Sequence, residues 1–326
     1  MADTALQDLI GRGLEDFLST ESGNHHAPAS PLVTTLINIL HADLWRQWGY
    51  APTFALGHSI GEVAAAYVAG LFSTKEVLEL AHHLGRVAAE LPGAMLHTVV
   101  PAARLSDFPH KELHLAAVNC VLPDSTDVSV SLCGSERHAT EWLAADEGAT
   151  KLMPAHPWHH PLYRTTAAFG AFSAGFRPPK AYATSTCHFV SATKVALLTS
   201  VDASHWESWL TAPVQFAAAL DLVAQRARGA PLCALQTGPH AVLDGAVAAL
   251  GATVGVKLLA QAASLCRNAP ALAFIRQQRA ALATASALAP ALRAALSRPG
   301  ALQAAVGDSI LDPDRHPPHL HCACYT

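Results

Sequence analysis

A serine framed by two glycines is the residue of this sequence best suited to do chemistry. Gly57-His58-Ser59-Ile60-Gly61 fits the pattern G-x-S-x-G, the nucleophile elbow. In this turn a strained backbone projects the serine hydroxyl, and the glycines let a strand and a helix approach closely. The backbone N–H of Ile60 then lies at a helix N-terminus, where it can stabilise an oxyanion. The pattern predicts that Ser59 is a nucleophile that forms a covalent intermediate.

The elements around this pentapeptide are those that the turn requires. Residues 53–56 are typical of a short buried strand, and the alanine-rich residues 61–69 are typical of a helix. A helix over residues 30–48 precedes them, with Ser30 as its expected N-cap. Ser73 and Glu76 have the spacing of a capping box, which begins the next helix. Helix, strand, turn and helix in this order indicate a parallel α/β sheet.

The pattern divides the chain into three regions. We expect an α/β core formed by residues 1–93 and 156–280, and a small α+β subdomain over 94–155, where several short strands and one helix follow one another. Residues 281–326 are expected to form an alanine-rich helical segment and a disordered tail. Within the second part of the core, the expected elements are a helix over 214–228 and strands over 232–236 and 254–259.

Composition excludes several function classes. Of the 326 residues, 51% are hydrophobic and 14% are charged, which suits a chain with a large core rather than a disordered one. The formal net charge of -4 argues against nucleic acid or an anionic membrane as a partner. Seven scattered cysteines and a start without signal-peptide character predict a cytoplasmic protein with free thiols. Pro290 and Arg293 interrupt the apolar stretch 280–296, which is too short to span a bilayer.

At this point the sequence resembles a known family. Residues 57–70, GHSIGEVAAAYVAG, resemble the nucleophile segment of malonyl-CoA:ACP transacylases and of polyketide synthase acyltransferase domains. Further similar segments follow in the family's order over roughly residues 30–280: Leu44–Gly49, Ala116–Asn119, His156–Leu162, Trp209–Phe216 and Thr237–His240. The resemblance implies a hydrolase-like parallel-sheet core with a small inserted ferredoxin-like subdomain.

One part of the family pattern has no counterpart here. The family carries a Gly-Gln-Gly loop on its first strand, and that loop supplies a second oxyanion donor. No such sequence occurs before Ser30, so the resemblance predicts a chain that is N-terminally truncated relative to the family. Loss of one oxyanion donor typically lowers turnover by about a hundredfold to a thousandfold.

The resemblance also assigns the base. Composition alone selects none of the 19 histidines, but the family's base falls at the position of His159. In this family a main-chain carbonyl orients the imidazole, so a Ser59–His159 dyad is expected rather than a triad with an acid. His58 is expected to line the pocket or to support the elbow. Trp158 is expected to be a pocket wall that limits the size of the acyl group.

The expected acyl group follows from a second departure from the family. Relatives that use dicarboxylates have an arginine, in the helix after the elbow, that pairs with the free carboxylate. That position is Leu84 in this chain, and Arg86 lies two residues later, about 200° around the helix. Because burying an unpaired carboxylate is costly, the substitution predicts a neutral, starter-type acyl group. Leu84 and Arg86 are therefore included among the expected pocket residues.

By resemblance, the expected reaction is a ping-pong acyl transfer from acyl-CoA, through acyl-Ser59, to the phosphopantetheine thiol of an acyl carrier protein. No metal or bound cofactor is implied, and the expected partners are the carrier protein and other domains of a synthase. A serine hydrolase or thioesterase on the same elbow is one alternative, and a catalytically degenerate interaction domain is another. Five residues near the end of the sequence are of types that bind metals: His316, His319, His321, Cys322 and Cys324. Because no second paired cluster accompanies them, they do not predict a zinc site.

Overall fold

The computed structural model describes residues 2–19, 26–179, 186–227, 230–253, 258–266, 269–296 and 322–325. Within these ranges the α-helices are α1 (Ala2–Ile10), α2 (Leu14–Ser19), α3 (Ala29–Gln47), α4 (Gly61–Val68), α5 (Thr74–Ala89), α6 (Glu136–Ala145), α7 (Ala167–Gly175), α8 (Ala203–Thr211), α9 (Phe216–Arg226), α10 (Asp244–Thr253) and α11 (Ala271–Leu296). The strands are β1 (Pro52–Leu56), β2 (Ala94–Pro101), β3 (His114–Val121), β4 (Asp127–Gly134), β5 (Thr150–Lys151), β6 (His188–Ser191), β7 (Ala196–Leu198), β8 (Val214–Gln215), β9 (Leu232–Gln236), β10 (Leu258–Ala263) and β11 (Cys322–Tyr325).

The larger sheet has the strand order β10-β9-β11-β1-β6-β7. Its strands are parallel except β7, which pairs antiparallel with β6. Strand β1 lies inside this sheet, and its apolar residues Phe54, Ala55 and Leu56 are buried. Functional residues of open parallel sheets sit beyond the carboxyl ends of the strands. The turn that follows Leu56 is therefore at the edge of the sheet where a site is expected.

The second sheet has the order β5-β2-β4-β3-β8. Strand β4 lies between β2 and β3 and pairs antiparallel with both, and α6 packs against β2 and β4. All three strands and the helix predicted within residues 94–145 are present. The helix predicted over 214–228 begins two residues late, at Phe216, because Val214 and Gln215 pair with β3 instead. This pairing joins the small sheet to the chain that follows α8.

Helices α3 and α5 pack on each other beside β1. The predicted capping box is confirmed, since Ser73 N–H donates to Glu76 Oε2 at 2.8 Å and Ser73 Oγ accepts from Glu76 N–H. The expected N-cap at Ser30 is wrong: α3 begins at Ala29, after Pro28, without a side-chain cap. A Cβ at Gly85 would lie 2.3 Å from the Pro28 carbonyl oxygen, so this contact of α5 with the start of α3 requires glycine.

The prediction of a disordered tail does not hold for residues 322–325. These residues form β11, which lies between β1 and β9 and pairs in parallel with both. Helix α11 likewise starts at Ala271, ahead of the expected boundary at residue 281. The composition of the tail does not predict this strand, because β11 forms only where β1 and β9 leave room for a strand between them. Buried backbone groups on β1 and β9 need partners, and β11 supplies them.

Removal of β11 is expected to destabilise the protein strongly. Deleting residues 322–325 leaves one edge of β1 and one edge of β9 unpaired, and each backbone hydrogen bond contributes about 1 kcal/mol. We expect a loss of several kcal/mol in the free energy of unfolding, measured by urea denaturation. An unchanged midpoint in the deletion variant would contradict the strand assignment.

Candidate active site

The turn after β1 holds Ser59 in a strained conformation. Ser59 has φ 53°, in the left-handed region that non-glycine residues seldom adopt. A Cβ at Gly57 would lie 2.0 Å from the backbone nitrogen of Glu62, so only glycine permits this approach of strand and helix. The Ser59 carbonyl accepts from the Glu62 N–H at 2.9 Å, which fixes the turn onto the start of α4. Strain of this kind concentrates at functional sites.

Ile60 is the residue that immediately precedes α4. Its backbone N–H lies before the first turn of the helix, so no carbonyl of that helix can accept from it. The positive end of the helix dipole adds to the attraction for an anion at this point. The position is suited to the oxyanion role that the sequence assigns to Ile60.

The structure brings His159 to Ser59 from a hundred residues along the chain. His159 Nε2 lies 2.8 Å from Ser59 Oγ, and its Nδ1 lies 2.7 Å from the carbonyl oxygen of Trp209. A carbonyl only accepts, so Nδ1 carries the proton and Nε2 is left as the acceptor of the Ser59 hydroxyl proton. His159 also has a positive φ, 65°. The orienting group is a main-chain carbonyl, as the resemblance implies.

Burial keeps His159 in its neutral form. Burial of the imidazole lowers its pKa to about 4, the hydrogen bond to the Trp209 carbonyl opposes this, and the nearby charge of His58 adds to it. The imidazole is therefore unprotonated at neutral pH and able to take a proton. A general base must be in this form before it can act.

Trp209 holds both members of the pair, a role that the sequence analysis missed. Its carbonyl accepts from His159, and its indole N–H donates to the Ser59 carbonyl at 3.1 Å. Its ring also packs edge-on against the His159 imidazole at 5.0 Å between centroids. The similarity of residues 209–216 to a family segment marked this region but gave Trp209 no function. Helix α8 thus sets the distance between the two side chains.

A hydrogen-bond network supports His58 from the small sheet. His58 Nε2 donates to Asn119 Oδ1 at 2.8 Å, and Asn119 Nδ2 donates to the hydroxyls of Ser129 and Ser131 at 3.3 and 3.4 Å. Burial lowers the pKa of His58. These hydrogen bonds hold the His58 side chain against the small sheet. Asn119, to which the sequence analysis gave no role of its own, is what ties the elbow to the second sheet.

A buried carboxylate anchors the other side of the turn. Glu62 is fully buried and accepts from the Ser191 hydroxyl at 2.7 Å and from the Thr193 hydroxyl at 3.0 Å. His205 Nε2 lies 3.2 Å from Glu62 Oε1. These contacts join α4 to the end of β6 and to α8. Glu62 contacts neither Ser59 Oγ nor the imidazole in this arrangement, so its role is structural.

The other expected pocket residues are not all brought to the site. Leu84 is fully buried in the apolar core, and Arg86 lines a groove between α5 and α7 that includes neither Ser59 nor His159. The expectation that Leu84 and Arg86 line one pocket with Ser59 is therefore not supported by their placement. Trp158 is buried beside His159, with its ring 6.0 Å from that of Trp209. Helix periodicity predicts that Leu84 and Arg86 point in different directions. It does not predict which neighbouring element each side chain faces.

Two further findings concern metals and membranes. Across the described ranges, no group of three or more His, Cys, Asp or Glu side chains is arranged to hold a metal ion. His316, His319 and His321 lie outside the described residues. Every helix in the described part of the chain is too short or too polar to span a bilayer.

The buried histidines predict that stability falls in mild acid. Burial is the largest cause of a lowered pKa at these histidines: His41, His58, His82, His83, His97, His114, His159 and His160. Between pH 6.5, their ordinary value, and about pH 4, the unfolded chain binds more protons than the folded one, so the free energy of unfolding decreases as the pH falls. His159 alone contributes on the order of 3 kcal/mol to the free energy of unfolding. This contribution is present above pH 6.5 and is lost by about pH 4. Urea midpoints at pH 7.5, 6.0 and 5.0 check this, and equal midpoints would contradict it.

Comparisons with known proteins show which family the chain resembles. The model of the acyl transferase domain family matches residues 2–148. The highly reducing polyketide synthase resH of Aspergillus sclerotiorum is 30% identical over 270 residues, which cover 77% of this chain and 10% of that synthase. The chain therefore spans about 10% of the length of the curated synthases that it matches.

Solved structures share the fold. The acyltransferase domain from module 8 of the salinomycin polyketide synthase superposes with a TM-score of 0.70 at 25% identity, covering 85% of this chain and 66% of that one. A loading acyltransferase from the avermectin polyketide synthase gives a TM-score of 0.72 at 23% identity, covering 86% and 89%. The α/β fold, the elbow and the sequence similarity lead to one conclusion. Residues 2–148 match the acyl transferase domain family, and the chain resembles the acyltransferase domains of polyketide synthases in both sequence and fold.

Proposed function

We propose that this chain transfers a neutral acyl group from acyl-CoA, through an ester on Ser59, to the phosphopantetheine thiol of an acyl carrier protein. The observation that carries the proposal is the 2.8 Å contact between Ser59 Oγ and His159 Nε2, with Nδ1 held by the Trp209 carbonyl. A serine hydroxyl becomes an effective nucleophile when a positioned base removes its proton.

In the first half-reaction His159 Nε2 takes the proton of Ser59 as Oγ attacks the thioester carbonyl. The carbonyl oxygen becomes an oxyanion, which the N–H of Ile60 stabilises at the start of α4. The intermediate then collapses, the carbon–sulfur bond breaks, and the coenzyme A thiolate leaves with the proton from His159. Throughout, the Trp209 carbonyl stabilises the transient imidazolium through its contact with Nδ1.

The second half-reaction repeats these steps with a different thiol. The phosphopantetheine thiol gives its proton to His159 Nε2, and its sulfur attacks the carbonyl of acyl-Ser59. Collapse of this second intermediate breaks the ester bond and returns the proton to Ser59 Oγ. The acyl group leaves as a thioester of the carrier protein, so the two thioesters exchange without any net change in protons.

The preference for a neutral acyl group rests on the environment of the helix after the elbow. Leu84 is fully buried and Arg86 lines a groove away from the Ser59–His159 pair. Neither residue offers a cation to a carboxylate held at Ser59. An alkyl chain gains about 25 cal/mol per Å² of buried surface, whereas a desolvated carboxylate without a partner is destabilised. Trp158 beside the base limits the length of the chain.

The test compares acetyl-, hexanoyl- and malonyl-CoA at equal concentrations, with and without a carrier protein that bears phosphopantetheine. Mass spectrometry of the intact proteins follows acyl-Ser59 and acylated carrier. We expect faster loading of acetyl or hexanoyl than of malonyl groups, and acylated carrier as the product. Faster malonyl loading would refute the neutral preference. Release of free acid at the same rate with and without carrier would instead indicate a hydrolase or thioesterase.

A further inference from the structure

A groove separate from the Ser59–His159 pair runs between α5 and α7. Its volume is about 490 Å³, within the range of small-molecule sites. Its apolar lining comes from Phe72 and Leu80 on one side and from Phe172 and Phe176 on the other. Phe176 is only half-buried. The groove therefore presents an aromatic surface that an alkyl chain could cover.

A cation without a protein partner lies at this groove. Arg86 is exposed, and among the described residues its guanidinium makes neither a hydrogen bond nor an ion pair. The acidic residues of the groove are already engaged, since Glu76 accepts from Ser73 and Glu79 lies 4.0 Å from Lys75. Arg86 is therefore available to pair with an anion, since no carboxylate in the described ranges neutralises it.

A second arginine adds positive charge at the end of α7. Arg177 also lines the groove, and its Nη1 donates to the carbonyls of Ala174, Gly175 and Phe176. These bonds hold the guanidinium in place without neutralising it, because carbonyls carry no net charge. Two cationic side chains thus line the same groove as the aromatic residues.

We infer that the α5–α7 groove binds an amphipathic anion, an alkyl chain that bears a carboxylate. The chain covers the phenylalanine side chains, and the carboxylate pairs with Arg86, which is planar and can hold a carboxylate through two hydrogen bonds. This site goes beyond the proposed acyl transfer, because neither Ser59 nor His159 lines the groove.

The groove is nonetheless connected to α8, which positions the base. Phe72 lies 6.1 Å from Trp206, and Trp206 lies 6.4 Å from Trp209, as measured between ring centroids. The Ser173 hydroxyl on α7 also donates to Glu207 on α8. The intrinsic fluorescence of these tryptophans therefore offers a second readout of occupancy.

Isothermal titration of the full chain with decanoate tests the inference. Decanol, which lacks the carboxylate, and acetate, which lacks the long alkyl chain, serve as control ligands. We expect saturable binding of decanoate, weaker binding of decanol, and no binding of acetate. Arg86→Gln should weaken decanoate binding about fivefold, near the upper end for exposed charge pairs. Arg226→Gln removes an exposed charge away from the groove and should have no effect.

A matched pair of glycines on α7 tests the location. A Cβ would meet nothing within 4 Å at Gly170 or at Gly175, but only Gly175 lines the groove. Gly175→Trp should abolish decanoate binding, whereas Gly170→Trp should leave it intact. Ser59→Ala should also bind decanoate normally, which separates this site from the proposed acyl transfer.

Three results would overturn the inference. One is equal binding by the parent and Arg86→Gln, and another is loss of binding in Ser59→Ala. The third combines two observations. Sedimentation detects a concentration-dependent dimer of the parent that Gly175→Trp dissociates, and neither the parent nor any variant binds decanoate. That last result would make the groove an interface between two copies of the chain.

Discussion

Ser59→Ala is expected to form no acyl-enzyme with any acyl-CoA. The substitution removes the hydroxyl that lies 2.8 Å from His159 Nε2, and with it the proposed nucleophile. Intact-mass spectrometry after incubation with hexanoyl-CoA should show the acyl adduct on the parent protein and none on the variant. A full adduct on the variant would reject Ser59 as the nucleophile.

Two further variants keep this result interpretable. Ser59→Gly also lacks the hydroxyl, but glycine adopts a φ of 53° without strain, so this variant should be fully folded and unlabelled. Ser208→Ala removes an exposed hydroxyl from α8 and should label normally. Loss of labelling in both Ser59 variants, with unchanged circular dichroism, separates lost chemistry from lost structure.

His159→Ala is expected to slow acylation by about 100- to 10,000-fold, the usual contribution of a positioned general base. The nucleophile remains in place, so slow labelling of Ser59 should persist. The rate of adduct formation, measured by rapid quench and mass spectrometry, gives the ratio to the parent. In the parent this rate should fall only as the pH approaches about 4, where His159 becomes protonated.

The neighbouring His160 is a matched control. Burial, with His114 beside it, lowers the pKa of His160 to about 4 as well. Its Nδ1, however, accepts from the Leu162 N–H at 3.1 Å and does not reach Ser59. His160→Ala should cost some stability but leave the acylation rate of the folded protein nearly unchanged. A larger effect at His160 than at His159 would contradict the assignment.

The parts of the site that the sequence predicted are those fixed by local backbone geometry. The elbow needs a strand, two glycines and a helix in immediate succession, and all three can be read from residues 53–69. His159 came from similarity to a family segment, because nothing in its local pattern distinguishes it from the other histidines. Its contact with Ser59 spans a hundred residues and depends on the fold.

The parts that were missed depend on contacts between distant elements. Trp209 acts through a carbonyl and an indole N–H, and a sequence gives no sign of where a carbonyl points. Asn119 was given no role, because only the position of the small sheet brings it to His58. Arg86 could be placed on a helix face but not in a groove, because α7 forms the other wall.

The interior position of β11 has a consequence for how the chain folds during synthesis. Strand β1 emerges from the ribosome roughly 270 residues before β11, given elongation in sequence order. Until residue 325 is available, β1 and β9 each expose a row of unpaired backbone groups, the kind of edge that recruits other strands. Pairing over such a sequence separation is also slow, because loop-closure entropy opposes it. The nascent chain should therefore have a long interval in which it is prone to aggregate and depends on chaperones, and yields should improve at low temperature and low expression rates.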